Sequence, residues 1–436
     1  MRNATLSDLN KYFDDCVVLG KRDPIINNNE TRILTVLLWG INGNSICIRG
    51  ESGSAKTKIL NAAAALLFGD AGLSGHNHEL LLLNSSSAKG QLTDDSAQRI
   101  SNAERCVIPE LQNIMTSQNL EAMIKLWMES RPYVYTKNEL GRKQVRIILD
   151  PLPILTNLAD GNEQMPDLPT EMHRRTISLP TISTAELNER VHKMKARARM
   201  LPDGDLNVLT RRELGALRKQ CQLAMQNNLR VINPGAEYIR RAIPTRYTMS
   251  NTFIDYFLDV VESITKFYTP ERLTHQNYIF ATPEDNYVGF QIAGNTFRDM
   301  AIGIASLGRE IIEFIPKVEA WGDLATDVEA DAATLDDIID HLNDLGMIRH
   351  KKTVKSILDR LVNTNFVRKI ERKDKYYRTQ EMDFQVQIDP DDLVDACKES
   401  MSLNFPDLSE KYNNLDLNHY TCYTTGEVKK LETTRI

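Results

Sequence analysis

The chain has 436 residues, and 53 Lys and Arg against 59 Asp and Glu leave a formal net charge of −6. Hydrophobic residues at 42% and charged residues at 26% are the balance of a globular protein, which excludes wholesale disorder. The longest apolar stretches, 33–41 and 62–68, are far shorter than the roughly 20 residues of a membrane span, and the start MRNATLSDLNKYFDD has no apolar leader. A soluble, cytoplasmic protein with no membrane partner is therefore expected. Cysteines stand at 16, 47, 106, 221, 397 and 422 with no CxxC pair, so buried reduced thiols are expected in place of a zinc site or disulfide framework. His76 and His78, the closest histidine pair, read as a solvated turn.

Residues 1–30 form a polar N-terminal extension with a turn at Pro24, followed by an apolar helix over Thr31–Ile41. The β-branched run Ser45–Arg49 then leads into Gly50-Glu51-Ser52-Gly53-Ser54-Ala55-Lys56-Thr57 and a helical run, Lys58–Phe68. A strand, a loop of small residues ending in Lys-Thr, and a helix are what a phosphate-binding P-loop requires. Backbone N–H groups of the loop would surround the β-phosphate at the helix N-terminus. Lys56 would bridge the β- and γ-phosphates, and the Thr57 hydroxyl would ligate Mg²⁺. ATP and Mg²⁺ are thus the expected cofactors. Further strand candidates are 79–83, 106–108, and either 146–149 or 153–155, and their alternation with helices predicts a parallel α/β sheet.

Arg105-Cys-Val-Ile-Pro-Glu110 is a short apolar strand ending in an acid. Glu110 is the candidate to polarise an attacking water and to assist Mg²⁺, but Pro109 stands where a second acid is usual. Asn157, after the apolar 153–156, is the candidate to hold the water or the γ-phosphate from a neighbouring strand. Arg174 and Arg175 are candidate arginine fingers reaching a neighbouring subunit, or a solvated surface pair. From about 184 to 318 the helical period dominates, and an all-α region is expected there. Within it Arg246 is the candidate second sensor of the γ-phosphate, with Arg230, Arg240 and Arg241 as competitors.

Tyr133–Arg146 reads as a hairpin turning at 138–141, with Lys137, Arg142, Lys143 and Arg146 among its aromatics. Its bases would track phosphates and a tyrosine would stack on a base, or the charges simply keep a surface hairpin soluble. An abrupt switch of charge follows. Glu319–Leu345 holds nine acids and no Lys or Arg, whereas Lys351–Gln380 holds ten bases against three acids. A helix over 334–343 capped by Thr334, a second over 353–362, and two strands around the basic turn 371–375 predict a winged helix at 334–380. Lys355, Arg360, Arg372 and Lys373 are its DNA-facing candidates, although such modules also serve protein contacts. Residues 381–436 are polar and rich in Asp and Asn, and a loosely packed tail is expected.

The loop 50–57 resembles the P-loop of the minichromosome-maintenance branch of AAA+ ATPases, in which Ala commonly takes the place of the second Gly, as Ala55 does. The resemblance continues through 120–129, the hairpin, Asn157 and the Arg174–Arg175 pair. Residues 231–292 are similar to the helical region of primase-associated helicase proteins of archaeal and mobile-element genomes. It implies a P-loop AAA+ core at 31–183, a helical lid at 184–318, and an acidic linker at 319–333 leading to the winged helix. It also implies a homo-oligomeric ring whose hairpins grip DNA in a central channel, with a primase or other replication partner. Pro109 departs from the branch's acidic pair, and the resemblance is to the motor portion only, with no primase domain or N-terminal DNA-binding barrel expected within 1–436. The expected function is an ATP-driven, helicase-like DNA motor in replication. The alternatives are a nucleotide-gated DNA-binding initiator or transcription regulator with little turnover, which Pro109 favours, and an ATPase that remodels a protein.

Overall fold

The computed structural model describes residues 3–16, 28–50, 54–69, 79–83, 99–111, 118–139, 143–159, 176–181, 189, 192, 196, 209–243, 250–301, 306–316, 332–345, 350–363, 367–370, 374–378 and 386–435. Helix α1 (Leu6–Cys16) is followed by α2 (Asn28–Leu34), which runs on into a π-helix over Thr35–Asn42. The π-helix is apolar nearly all round, so it has no face to offer water, and residues 35 to 41 are all buried. Gly40 lets it close on the next helix, because a Cβ there would lie 2.6 Å from Leu67 Cδ1. The helix ends at Gly43 in the left-handed region. Arg105 donates from Nε to Trp39 O (2.9 Å) and from Nη2 to Gly40 O (2.8 Å), and so satisfies carbonyls near the helix end.

Five parallel strands form the main sheet: β1 (Ile46–Gly50), β2 (Leu80–Leu82), β3 (Arg105–Ile108), β6 (Ile154–Ala159) and β7 (Ile177–Thr181), in the order β2-β3-β6-β1-β7. Helix α3 (Lys56–Phe68) follows β1, and α4 (Gln118–Met128) follows β3. Successive side chains of a strand point to opposite faces. Ile46, Ile48, Val107 and Leu155 therefore join a core with the π-helix and α3, while Cys47, Cys106, Ile108 and Ile154 pack with Met123, Ile124 and Trp127 of α4. Covered on both faces, β1 reads as a continuous apolar run and not as an alternation. Between α4 and β6 the chain makes an antiparallel hairpin of β4 (Tyr133–Glu139) and β5 (Lys143–Leu149). The two candidates for a fourth strand are thereby separated: 146–149 belongs to the hairpin, and the sheet takes Ile154–Ala159.

The expectation of an all-α region over 184–318 fails. Besides α5 (Arg211–Met225), α6 (Ala236–Ala242), α7 (Ser250–Phe267), α8 (Pro283–Ala301) and α9 (Ser306–Phe314), it contains a three-stranded sheet. In that sheet β10 (Tyr278–Phe280) lies parallel to β8 (Arg230–Ile232) and antiparallel to β9 (Thr274–His275). Strands of two or three residues are too short to display a period of two, and β8 finds its partner only across α6 and α7. Beside the sheet, Arg272 is 4% exposed and Asp285 is fully buried. Arg272 donates to Asp285 at 2.6–3.2 Å and to Glu284 at 2.9 Å. Burial pulls the guanidinium pKa down, but the two carboxylates more than offset it and hold Arg272 charged.

A smaller unit follows, built from α10 (Leu335–Asp344), α11 (Lys351–Asn363) and a three-stranded antiparallel sheet in the order β11 (Ala333–Thr334), β13 (Lys375–Arg378), β12 (Val367–Lys369). Val354, Leu358 and Leu361 face its core, which also takes Ile311, Ile312 and Ile315 at the end of the preceding helical region. Thr334 caps α10 in a reciprocal box with Asp337.

The expected loose tail is instead folded over residues 386–435. Helices α12 (Pro390–Asn404) and α13 (Pro406–Asn413) bury Leu393, Val394, Cys397, Met401, Leu408 and Tyr412 in the same core as the π-helix. Tyr412 donates to Ala281 O (2.8 Å), and the Thr421 N–H donates to Glu284 (2.8 Å). The N-terminal helix meets this segment too, where Asn10 Nδ2 donates to Tyr423 O at 2.8 Å. Leu393, Cys397 and Met401 recur every four residues behind an Asp389 cap and Pro390, a helix signal that the abundance of Asp and Asn in the segment obscures. Among the described residues no helix is long and apolar enough to cross a membrane. Cys47, Cys106, Cys221, Cys397 and Cys422 are buried free thiols.

Candidate nucleotide site

β1 ends at Gly50, at the carboxyl edge of the parallel sheet, and α3 begins six residues later at Lys56. A Cβ on Gly50 would run into the backbone carbonyl and the hydroxyl of Thr181, so only glycine allows β7 to approach this closely. Ala55 precedes the helix with φ 64, in the left-handed region, where an alanine costs roughly 1–2 kcal/mol. Its carbonyl accepts from Lys58 N and Ile59 N, both at 3.0 Å, which closes the first turn of α3. Lys56 is 8% exposed, and its Nζ donates to Gly50 O at 2.8 Å, with Ser54 Oγ farther off at 3.5 Å. Ser54 is fully buried.

Parallel pairing of β1 with β6 sets Asn157 beside Ile48. From there Asn157, 4% exposed, donates through Nδ2 to Thr57 Oγ1 at 3.2 Å. Glu110 is exposed just beyond β3, which lies on the far side of β6. Gly50, Ser54, Lys56, Thr57, Asn157 and Glu110 thus all stand at the carboxyl edge of one sheet, where ligands of open α/β sheets bind. Among the described residues no three His, Cys, Asp or Glu side chains gather to hold a metal. Glu51, Ser52, Gly53, Arg174, Arg175 and Arg246 lie outside the described residues. Of the competitors to Arg246, both Arg240 and Arg241 are exposed on α6 and bonded to Glu237, which they hold down at a pKa of about 2, Arg240 foremost. The sequence reading missed Thr181, whose hydroxyl reaches both Arg49 O and Ser54 Oγ. A lone threonine at the end of an apolar run carries no local signal for that role.

The hairpin pairs Tyr133 with Leu149 and continues to Glu139 opposite Lys143. The register sets Lys137 opposite Val145, Lys143 opposite Glu139 and Arg146 opposite Thr136. Arg142 lies outside the described residues. In the C-terminal unit Lys355 is exposed on α11, and Arg360 occupies the same helix. Lys351 pairs with Asp336 (2.7 Å) and Lys369 with Asp374 (2.7 Å), all four on the surface. Arg372 and Lys373 fall outside the described residues.

No protein-family model matches the chain, and no curated protein does. Among solved structures, the chain is similar to the Orc1 protein of Aeropyrum pernix in complex with DNA, at 11% identity over 94% of this chain and 100% of that one, with a TM-score of 0.28. It is also similar to NtrX of Brucella abortus in complex with ATP, at 11% identity over 79% of this chain and 69% of that one, with a TM-score of 0.28. The same protein with ADP gives 12% identity over 82% and 71%, with a TM-score of 0.27.

Proposed function

We propose that the chain is a P-loop ATPase of the AAA+ type that couples ATP hydrolysis to movement along DNA. The observation that carries this reading is the meeting of Lys56, Thr57 and Asn157 at the start of α3, with Asn157 bonded to the Thr57 hydroxyl at 3.2 Å. A strained residue just before the helix, a buried lysine just inside it, and a polar side chain from the adjacent strand are the parts that phosphoryl transfer needs. The donors here suit a nucleoside triphosphate: the α3 N-terminus and Lys56 are positive and face the edge of the sheet. Mg²⁺ ordinarily takes one or two protein ligands beside phosphate oxygens, so Thr57 and Glu110 would hold it without a second acid at 109. Bound there, it would neutralise charge on the β- and γ-phosphates. Glu110 would orient the attacking water, and Asn157 would fix its approach. Arg174 or Arg175 of a neighbouring copy in a ring, and Arg246 in the same chain, would stabilise the transferred group.

In this reading residues 31–183 form the motor core, 184–318 the lid, and 334–380 a winged helix that loads DNA through Lys355, Arg360, Arg372 and Lys373. Lys137, Arg142, Lys143 and Arg146 of the hairpin would grip a strand. A second reading is favoured by Pro109: a nucleotide-gated initiator or regulator that binds ATP and turns it over slowly. ATP hydrolysis with and without single-stranded DNA, with Lys56→Ala as the blank, separates them. A several-fold rise with DNA that vanishes in the blank supports the motor. Tight ATP binding with no turnover under either condition sinks it and leaves the switch.

A further inference from the structure

Thr181 is the last residue of β7, stands opposite Gly50 in the register and is 2% exposed. A threonine hydroxyl has one proton to give and lone pairs to receive another. Its proton goes to Arg49 O at 3.0 Å, since a carbonyl can only accept. The 2.7 Å contact with Ser54 Oγ must then run the other way, with Ser54 donating to Thr181. That leaves the lone pairs of Ser54 free to receive from Lys56 Nζ, which lies 3.5 Å away and also donates to Gly50 O at 2.8 Å. Donors therefore follow one direction, from Lys56 through Ser54 and Thr181 to the backbone of β1.

We propose that Thr181 is a positioning residue for nucleotide binding, acting through Ser54 to hold the segment from Ser54 to Lys56 in place before the ligand arrives. This rests on the nucleotide site proposed above and adds to it a residue from the opposite flank of β1. The geometry has two independent supports. The hydroxyl line sets the orientation of Ser54, and the bare Gly50 lets the Thr181 backbone and hydroxyl come against the loop at its root. A loop organised in advance loses less conformational freedom on binding, so removing the anchor lowers affinity. Valine in place of Thr181 keeps the shape and removes the oxygen that receives the Ser54 proton. Serine keeps the oxygen.

The test is equilibrium binding of ATP to the full chain by calorimetry, for the native protein, Thr181→Val, Thr181→Ser, Ser54→Ala and the Thr181→Val/Ser54→Ala double variant, with Lys56→Ala as the blank. Loss of one buried hydrogen bond predicts a Kd about tenfold higher for Thr181→Val and for Ser54→Ala. The double variant should be no weaker than the weaker single one, because both break the same line. Thr181→Ser should stay within about threefold of native. Native-like binding by Thr181→Val, losses that multiply in the double variant, or a Thr181→Ser as weak as the valine overturns the proposal. If Thr181→Val does not fold, Ser54→Ala and Thr181→Ser decide alone: the first must weaken binding and the second must not. A native chain that binds ATP no better than Lys56→Ala overturns both this proposal and the nucleotide site, which distinguishes the two failures.

Discussion

Arg272 and Lys351 each face a carboxylate, the first from inside the protein and the second from its surface. Arg272 is 4% exposed beside a fully buried Asp285, while Lys351 and Asp336 are 59% and 75% exposed. Taking two charges out of water is costly, so the inner pair survives only because every oxygen has work. Asp285 also accepts from Thr265 Oγ1 (3.1 Å) and Thr282 N (2.9 Å), and Glu284 accepts from Thr421 N. That network ties the end of α7 and the small β8–β10 sheet to the C-terminal segment. The outer pair joins only the exposed surfaces of α10 and α11, and its lysine is left within reach of another charged molecule. Burial thus turns the same chemistry into architecture in one region and leaves it available in the other.

The largest effect that separates the two regions is expected from Asp285→Ala, which leaves the buried Arg272 charge with Glu284 alone and strips Thr265 and the Thr282 N–H of their acceptor. Urea unfolding should show a loss of about 3–5 kcal/mol, little altered by salt. A loss below 1 kcal/mol would mean that water reaches Arg272 and that the contrast with Lys351 is one of degree.

Next in size is Lys355→Ala in the basic unit. The proposed DNA contact predicts weaker binding to duplexes of any sequence and a slope of log affinity against log salt reduced by about 1. An unchanged slope would take Lys355 out of the interface.

A third expectation concerns pH. Burial raises the Glu284 carboxyl above its ordinary value of 4.5, against the pull of Arg272. The folded protein then holds the proton more tightly than the unfolded chain, so this contribution to stability is complete below 4.5 and is lost as pH rises through the higher folded value. Glu284→Gln should flatten the stability profile in that window, read from unfolding midpoints at successive pH values. The smallest effect belongs to Asp336→Ala. An exposed pair contributes little, and the midpoint of unfolding should not move measurably at physiological salt. A clear shift would make the surface pair structural after all.

Several parts of this architecture are legible in single segments. The loop 50–57 between a β-branched run and an Ala-rich helix is visible as a string, as is the Thr334 cap three residues before Asp337, because caps and propensities act between residues a few positions apart. The helices of the C-terminal unit follow from the same local rules. What failed were the short strands β8 to β10, which have no room for a pattern, and the segment 386–435, where polar composition concealed a repeat of buried residues.

The sequence by itself determined a globular composition, a loop of small residues ending in Lys-Thr at the start of α3, and a helical and basic C-terminal unit. Only the tertiary structure decided which strand lies beside which, and the candidate site follows from that order. Asn157 meets Thr57 across a separation of 100 residues, and Ser54 meets Thr181 across 127. No period or cap spans such distances. They are set when Ile46, Ile48 and Leu155 are buried against the π-helix and the parallel register brings the ends of β1, β6 and β7 to one edge.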